Sequence, residues 1–158
     1  MTRLALNRRV LLLLGLLPAL AVISGPTDAA TPEAEVKAAY LYKLASFVRW
    51  PNDSSNGSFR FCVEGRDDVA GVLQQLVRGQ SIDGRPPAVA ELSAGQADAA
   101  KSCQVLFLGR GVETAHSLVA ATRGLPILTV GDRNAGTSGG VIDFLIRDGR
   151  VRLAIDRG

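Results

Sequence analysis

One dipeptide near the end of the chain constrains everything around it. Asp148-Gly149 separates two apolar-rich runs. Asp-Gly is a preferred two-residue hairpin turn because both positions tolerate the positive φ that the turn demands. Folding about it sets Ile146 opposite Val151, Phe144 opposite Leu153 and Ile142 opposite Ile155. Every pair on that face is apolar, so a one-residue slip would turn all of them to the wrong side, and the register is strongly specified. The other face pairs Arg147 with Arg150 and Leu145 with Arg152, and reads as solvated.

Upstream the pattern changes. Val105-Leu106-Phe107-Leu108 and residues 126–130 are apolar without alternation, as strands covered on both faces are. Phe59-Arg60-Phe61-Cys62-Val63 is strand-like and ends at Gly65. Between these runs lie helix-like segments: Val69, Val72, Leu73, Leu76 and Val77 before Gly79, a short stretch at 94–100, and Val112, Ala115, Leu118 and Val119 before Gly124. Residues 81–92 read as a strand pair or an extended segment, broken by Asp83-Gly84 and Pro86-Pro87. Strands alternating with short helices predict an α/β fold: a mostly parallel sheet flanked by helices, with the C-terminal antiparallel β-hairpin at the sheet edge.

Before the first strand, Thr31-Pro32-Glu33 combines a capping hydroxyl, a proline suited to the first helical position and an acid in the first turn. Val36, Tyr40, Leu44, Phe47 and Val48 follow at helical spacing and predict the buried stripe, with Lys37, Lys43 and Arg49 mainly off it. Pro51 sets the limit of this helix just after Trp50. Tyr42 lies off the stripe and is a candidate exposed contact for a partner.

Residues 1–30 belong to a different argument. Arg3, Arg8 and Arg9 precede an apolar run over 10–23, which gives way to small and polar residues. That is the layout of a secretory signal peptide. The apolar run, about 14 residues, is shorter than the roughly 20 that span a bilayer, so no stable membrane anchor is expected. Residues 31–158 are then read as one exported domain in the periplasm. The whole chain has 18 basic and 15 acidic residues; the leader holds three arginines and Asp28, leaving 15 against 14. The basic balance comes largely from the leader and gives no support to nucleic-acid binding. In an oxidising compartment the only two cysteines, Cys62 and Cys103, are read first as a disulfide, with two buried thiols on neighbouring strands as the alternative.

Catalytic apparatus is thin. His116 is the single histidine, and it has neither a metal-ligand spacing nor a Gly-x-Ser-x-Gly elbow beside it. The cysteines do not form a Cys-x-x-Cys pair. Asp67-Asp68 precedes a helix, where acids favour its N-terminus. No enzyme activity, metal or cofactor is expected. One pattern does suggest a ligand. Val63-Glu64-Gly65-Arg66, Leu108-Gly109-Arg110-Gly111 and Val130-Gly131-Asp132-Arg133 end three strands alike, and parallel strand ends form the crevice of α/β proteins. Arg66, Arg110 and Arg133 would there hold a small anion; the plainer reading is three glycine turns, each followed by a solvated arginine. The glycine-rich loop 131–140 is a second candidate surface.

Glu35-Val36-Lys37-Ala38-Ala39-Tyr40-Leu41-Tyr42-Lys43-Leu44-Ala45-Ser46-Phe47-Val48-Arg49-Trp50-Pro51 resembles the opening helix of the YfiR family. Ile127-Leu128-Thr129-Val130-Gly131-Asp132, Gly139-Gly140-Val141-Ile142-Asp143-Phe144 and Arg150-Val151-Arg152-Leu153 resemble its C-terminal signature. The resemblance covers roughly residues 33–156. It implies a periplasmic repressor that binds the periplasmic sensor domain of an inner-membrane diguanylate cyclase, and so affects cyclic di-GMP and biofilm formation. It also implies a disulfide between Cys62 and Cys103, structural and open to redox sensing. A homodimer is left open. Two features depart from the family: a second cysteine pair is missing, and relatives usually continue with a further helix beyond the point where this sequence stops, at Gly158. This member is then either short or given as a truncated sequence.

Overall fold

The structure, a computed structural model, describes residues 30–51, 57–65 and 68–156. Six strands form one sheet in the order β2-β1-β3-β4-β5-β6: β1 is Phe59–Glu64, β2 Pro87–Leu92, β3 Val105–Leu108, β4 Leu128–Asp132, β5 Ile142–Arg147 and β6 Arg150–Ile155. All neighbours are parallel except β5 and β6. The hairpin closes at Asp148 and Gly149, both with positive φ, in the expected register: Ile146 faces Val151, Phe144 faces Leu153 and Ile142 faces Ile155. The central strand β3 is buried along its whole length, in keeping with its unalternated run. Residues 81–92 resolve into a tight turn joining Ile82 to Arg85, followed by β2. Pro87 starts that strand at the sheet edge, where the absence of an N–H costs little.

Among the described residues four helices cover the sheet: α1 (Pro32–Phe47), α2 (Val69–Leu76), α3 (Ala97–Ala100) and α4 (Ala115–Thr122). Side chains alternate across each strand, so the sheet has two separate cores. Phe59, Phe61, Val63, Val105, Phe107, Val130 and Phe144 meet α1 and α2. Cys62, Leu106 and Leu108 meet α3 and α4 through Ala100, Ala115 and Leu118.

The buried side of α1 corrects the sequence expectation. Ala34, Lys37, Ala38, Leu41 and Ala45 are its buried residues. Of the anticipated stripe, Tyr40 and Leu44 are only half-buried, and Val36, Phe47 and Val48 are exposed. Three of these are alanines, and small side chains let α1 pack closely, above all against α2. The helix also stops earlier than Trp50. Val48 adopts an extended conformation, and the Trp50 indole N–H turns back to donate to the Ala45 carbonyl at 2.8 Å. That bond satisfies a carbonyl left open by the helix end. It also sets the Trp50 ring edge-on against Phe59, at 5.1 Å between centroids.

Candidate functional site

A parallel sheet offers its loops at the carboxyl ends of its strands, and the crevice opens where consecutive connections leave in opposite directions. Here the chain leaves β1 through α2 towards β2 and leaves β3 through α4 towards β4. The helices lie on opposite faces of the sheet, so the switch lies between the ends of β1 and β3. Gly65 lets these two exits close on each other. Its φ is +120°, and a Cβ there would stand 2.8 Å from the Gly109 carbonyl carbon and 2.9 Å from the Arg110 oxygen.

Of the three arginines in the sequence pattern, Arg110 and Arg133 are described at this edge. Arg66 falls outside the described residues. Arg110 is exposed in the turn after β3. Arg133 lies in a single 3-10 turn, Arg133–Ala135, and its Nε donates to Asp143 Oδ2 at 2.9 Å. Asp143 is buried, and Gly131 leaves room for it: a Cβ on Gly131 would collide with its carboxylate. The Arg133 guanidinium is thus already engaged by an acid.

The loop 131–140 likewise spends several of its polar groups on bonds within the fold. Asp132 Oδ1 accepts the backbone N–H groups of Asn134 at 3.1 Å and Ala135 at 3.3 Å. Thr137 Oγ1 accepts the Asp132 N–H at 2.9 Å, and Asn134 Oδ1 accepts the Ile146 N–H at 2.7 Å. The second oxygen of Asp132 holds Lys37, a residue assigned by its spacing to the solvent side. Lys37 is 3% exposed and bridges Asp132, itself 1% exposed, to Glu33 on its own helix. Burial works against its charge, but the hydrogen bonds it donates to Asp132 and Glu33 and the field of both carboxylates outweigh that and hold its pKa above the ordinary value. This pair ties α1 to the end of β4.

Glu64 is a third buried acid among the described residues, and no feature of the arginine pattern drew attention to it. It is the last residue of β1, and its register partners are Leu92 on one side and Leu108 on the other. It points to the same face as Cys62, two residues earlier. The side chain is 4% exposed; Oε1 accepts from the Thr114 hydroxyl at 3.4 Å, and Oε2 has no hydrogen-bond partner. Burial pushes the Glu64 carboxyl above its usual range, with the Thr114 hydrogen bond pulling the other way. Alternation alone could have flagged it, as an acid in an inward position between apolar strands.

Elsewhere, Cys62 and Cys103 form a disulfide, with Cα atoms 5.9 Å apart and both residues 2% exposed. It joins β1 to the residues entering β3 and encloses α2, β2 and α3. Tyr42 is half-buried between helix and core, and its hydroxyl donates to Gln80 Oε1 at 3.2 Å. His116 is exposed on α4. Among the described residues no three His, Cys, Asp or Glu side chains converge as metal ligands, and no helix is long and apolar enough to cross a membrane.

Comparison with known proteins adds one match. The family model described as YfiR/HmsC-like matches residues 34–158. No curated protein matches the chain.

Proposed function

The chain belongs to the YfiR/HmsC-like family, and from that membership we propose that it is an exported periplasmic regulator that binds the sensor domain of an inner-membrane diguanylate cyclase. The observation that carries this reading is the family match across residues 34–158. The buried disulfide supports an oxidising compartment, and the basic, apolar, small-residue order of residues 1–30 supports export. The reading assigns the protein no chemistry of its own. It acts by binding the inactive form of the cyclase more tightly than the active one, and that difference in affinity sets how far the equilibrium moves. Less cyclic di-GMP and less biofilm follow from a stronger bias.

The surface best suited to a partner is the outer flank of α1. Phe47 is 82% exposed, with Val36 at 42% and Val48 at 37%, and a large aromatic left in water is the kind of anchor that binding surfaces use. The test is recovery of partners from membrane extract by the protein under oxidising and reducing conditions, with mass spectrometry, alongside Phe47→Glu. A membrane diguanylate cyclase captured by the oxidised wild type, and lost in a Phe47→Glu protein of unchanged melting temperature, is the expected result. Capture of no membrane signalling protein in either condition would overturn the reading.

A further inference from the structure

β6 ends the sheet, and among the described residues no strand lies along its outer side. Exposed edges pair with other chains, and folded proteins blunt them with prolines, bulges, short strands or charges. β6 runs six residues without proline or glycine, its register with β5 is unbroken, and its two arginines share one face. Its inner side fixes which backbone groups the outer side offers. The Asp156 N–H donates to the Val141 carbonyl at 3.0 Å, one step beyond the pairing of Ile155 with Ile142. Antiparallel ladders alternate bonded and non-bonded pairs. Arg150, Arg152, Ala154 and Asp156 therefore turn their N–H and C=O groups to β5, and Val151, Leu153 and Ile155 turn theirs outward. The same three residues carry the apolar face. Val151 and Leu153 are half-buried against the core, whereas Ile155 is 65% exposed.

We propose that β6 pairs antiparallel with β6 of a second copy about a twofold axis at Leu153, joining the two sheets into one. Leu153 then lies opposite the partner's Leu153, Val151 opposite the partner's Ile155, Arg152 opposite the partner's Ala154 and Arg150 opposite the partner's Asp156. Each outward residue enters a pair that exchanges two hydrogen bonds. The exposed Ile155 gains an apolar neighbour, and a cation faces an acid at each end of the contact. A slip of two residues one way sets Arg152 against the partner's Arg152. In either direction Ile155 or Val151 loses its bonded partner, and an odd slip brings outward groups against inward ones. The strand is thus complementary to itself in one register, as a twofold contact requires, and that singles out a second copy as the occupant. The contact uses β6 and not the flank of α1, so this inference and the cyclase reading stand or fall separately.

The test is residue-resolved amide hydrogen exchange of the purified protein at low and high concentration, beside sedimentation equilibrium. The mass should rise from one copy to two. The Val151, Leu153 and Ile155 amides should exchange slowly only in the dimer, while those of Arg152 and Ala154, bonded to β5, stay slow in both. Ile155→Pro removes an outward N–H and leaves the β5 ladder intact. It should keep the melting temperature of the single copy and weaken the dimer about tenfold to a hundredfold, for two hydrogen bonds lost across the twofold. A single-copy mass at every concentration, a dimer in which those three amides exchange as fast as in the single copy, or an Ile155→Pro dimer as tight as the wild type would each overturn the proposal.

Discussion

Removing the cross-link between Cys62 and Cys103 should lower stability without altering the fold, and the size of the loss follows from the loop it closes. The two residues are 41 apart in sequence. The chain-entropy relation for a loop of that length gives about 4 kcal/mol, acting through the unfolded state. For a domain of about 125 residues, spanning 34–158, the unfolding entropy converts that to a fall in melting temperature of about 15 °C. Two perturbations separate the contributions. Reduction keeps both sulfurs in the core and removes only the bond. Cys62→Ala with Cys103→Ala also removes two atoms from the cluster around Leu106 and Leu118, and should cost about 1 kcal/mol more through the space left behind. Alanine is the better choice than serine here, since both positions are 2% exposed and a hydroxyl would be buried without a partner. Urea unfolding of the three forms reads the effect directly. The uncrosslinked chains should also give a larger m-value, because the released loop exposes more surface when unfolded. A loss below about 1 kcal/mol on reduction, with an unchanged m-value, would refute the loop-entropy argument and with it the idea that redox change acts on this protein through its stability.

Two further predictions test the buried charges. Lys37→Met should cost about 3–5 kcal/mol in urea unfolding, as expected when one partner of a buried pair is removed; Asp132→Asn should cost less, because Glu33 still neutralises Lys37. Equal losses would mean that Glu33 contributes nothing. For Glu64 the raised pKa means the folded state holds its proton more tightly than the unfolded state, so its contribution is complete below the ordinary value of 4.5 and declines as pH rises through the folded value. Glu64→Gln, which mimics the protonated form, should therefore match the wild type in acid and exceed it in stability at neutral pH, and a pH-independent difference would count against the assignment.

The fold was legible where a pattern has only one physical solution. Asp148-Gly149 with three mirrored apolar pairs admits one register, and Val105-Leu106-Phe107-Leu108 admits only a strand covered on both faces; both are found as the sequence implies. The face of α1 was not legible by the same means. Large apolar residues at helical spacing are Val36, Tyr40, Leu44 and Phe47, but close packing of one element on another favours small side chains, and the buried residues include Ala34, Ala38 and Ala45. Those alanines form their own stripe at four- and three-residue steps with Leu41 between them. Lys37 lies within it, one residue before Ala38, where hydropathy gives no warning of a buried charge.

At the carboxyl edge the same difference between order along the chain and position in space applies. In sequence, Arg66, Arg110 and Arg133 stand out because each follows a glycine turn; in space, what matters is which side chains the strands aim inward. A strand's last inward residue is fixed by alternation from its core residues, and counting back from Glu64 reaches Cys62, a buried residue on the face of α3 and α4. Glu64 must then enter the same core, between Leu92 and Leu108. The equivalent argument on β4 places Asp132 in line with Val130, under α1, which is why a lysine on that helix meets it. The two acids thus sit on opposite faces of one sheet with opposite fates. Asp132 is met by a cation and by two backbone donors and serves to hold α1 in place; Glu64 is met by one hydroxyl and keeps an oxygen free. Asp132 is therefore a strut between α1 and the sheet, whereas Glu64 leaves one oxygen unsatisfied inside the core on the other face.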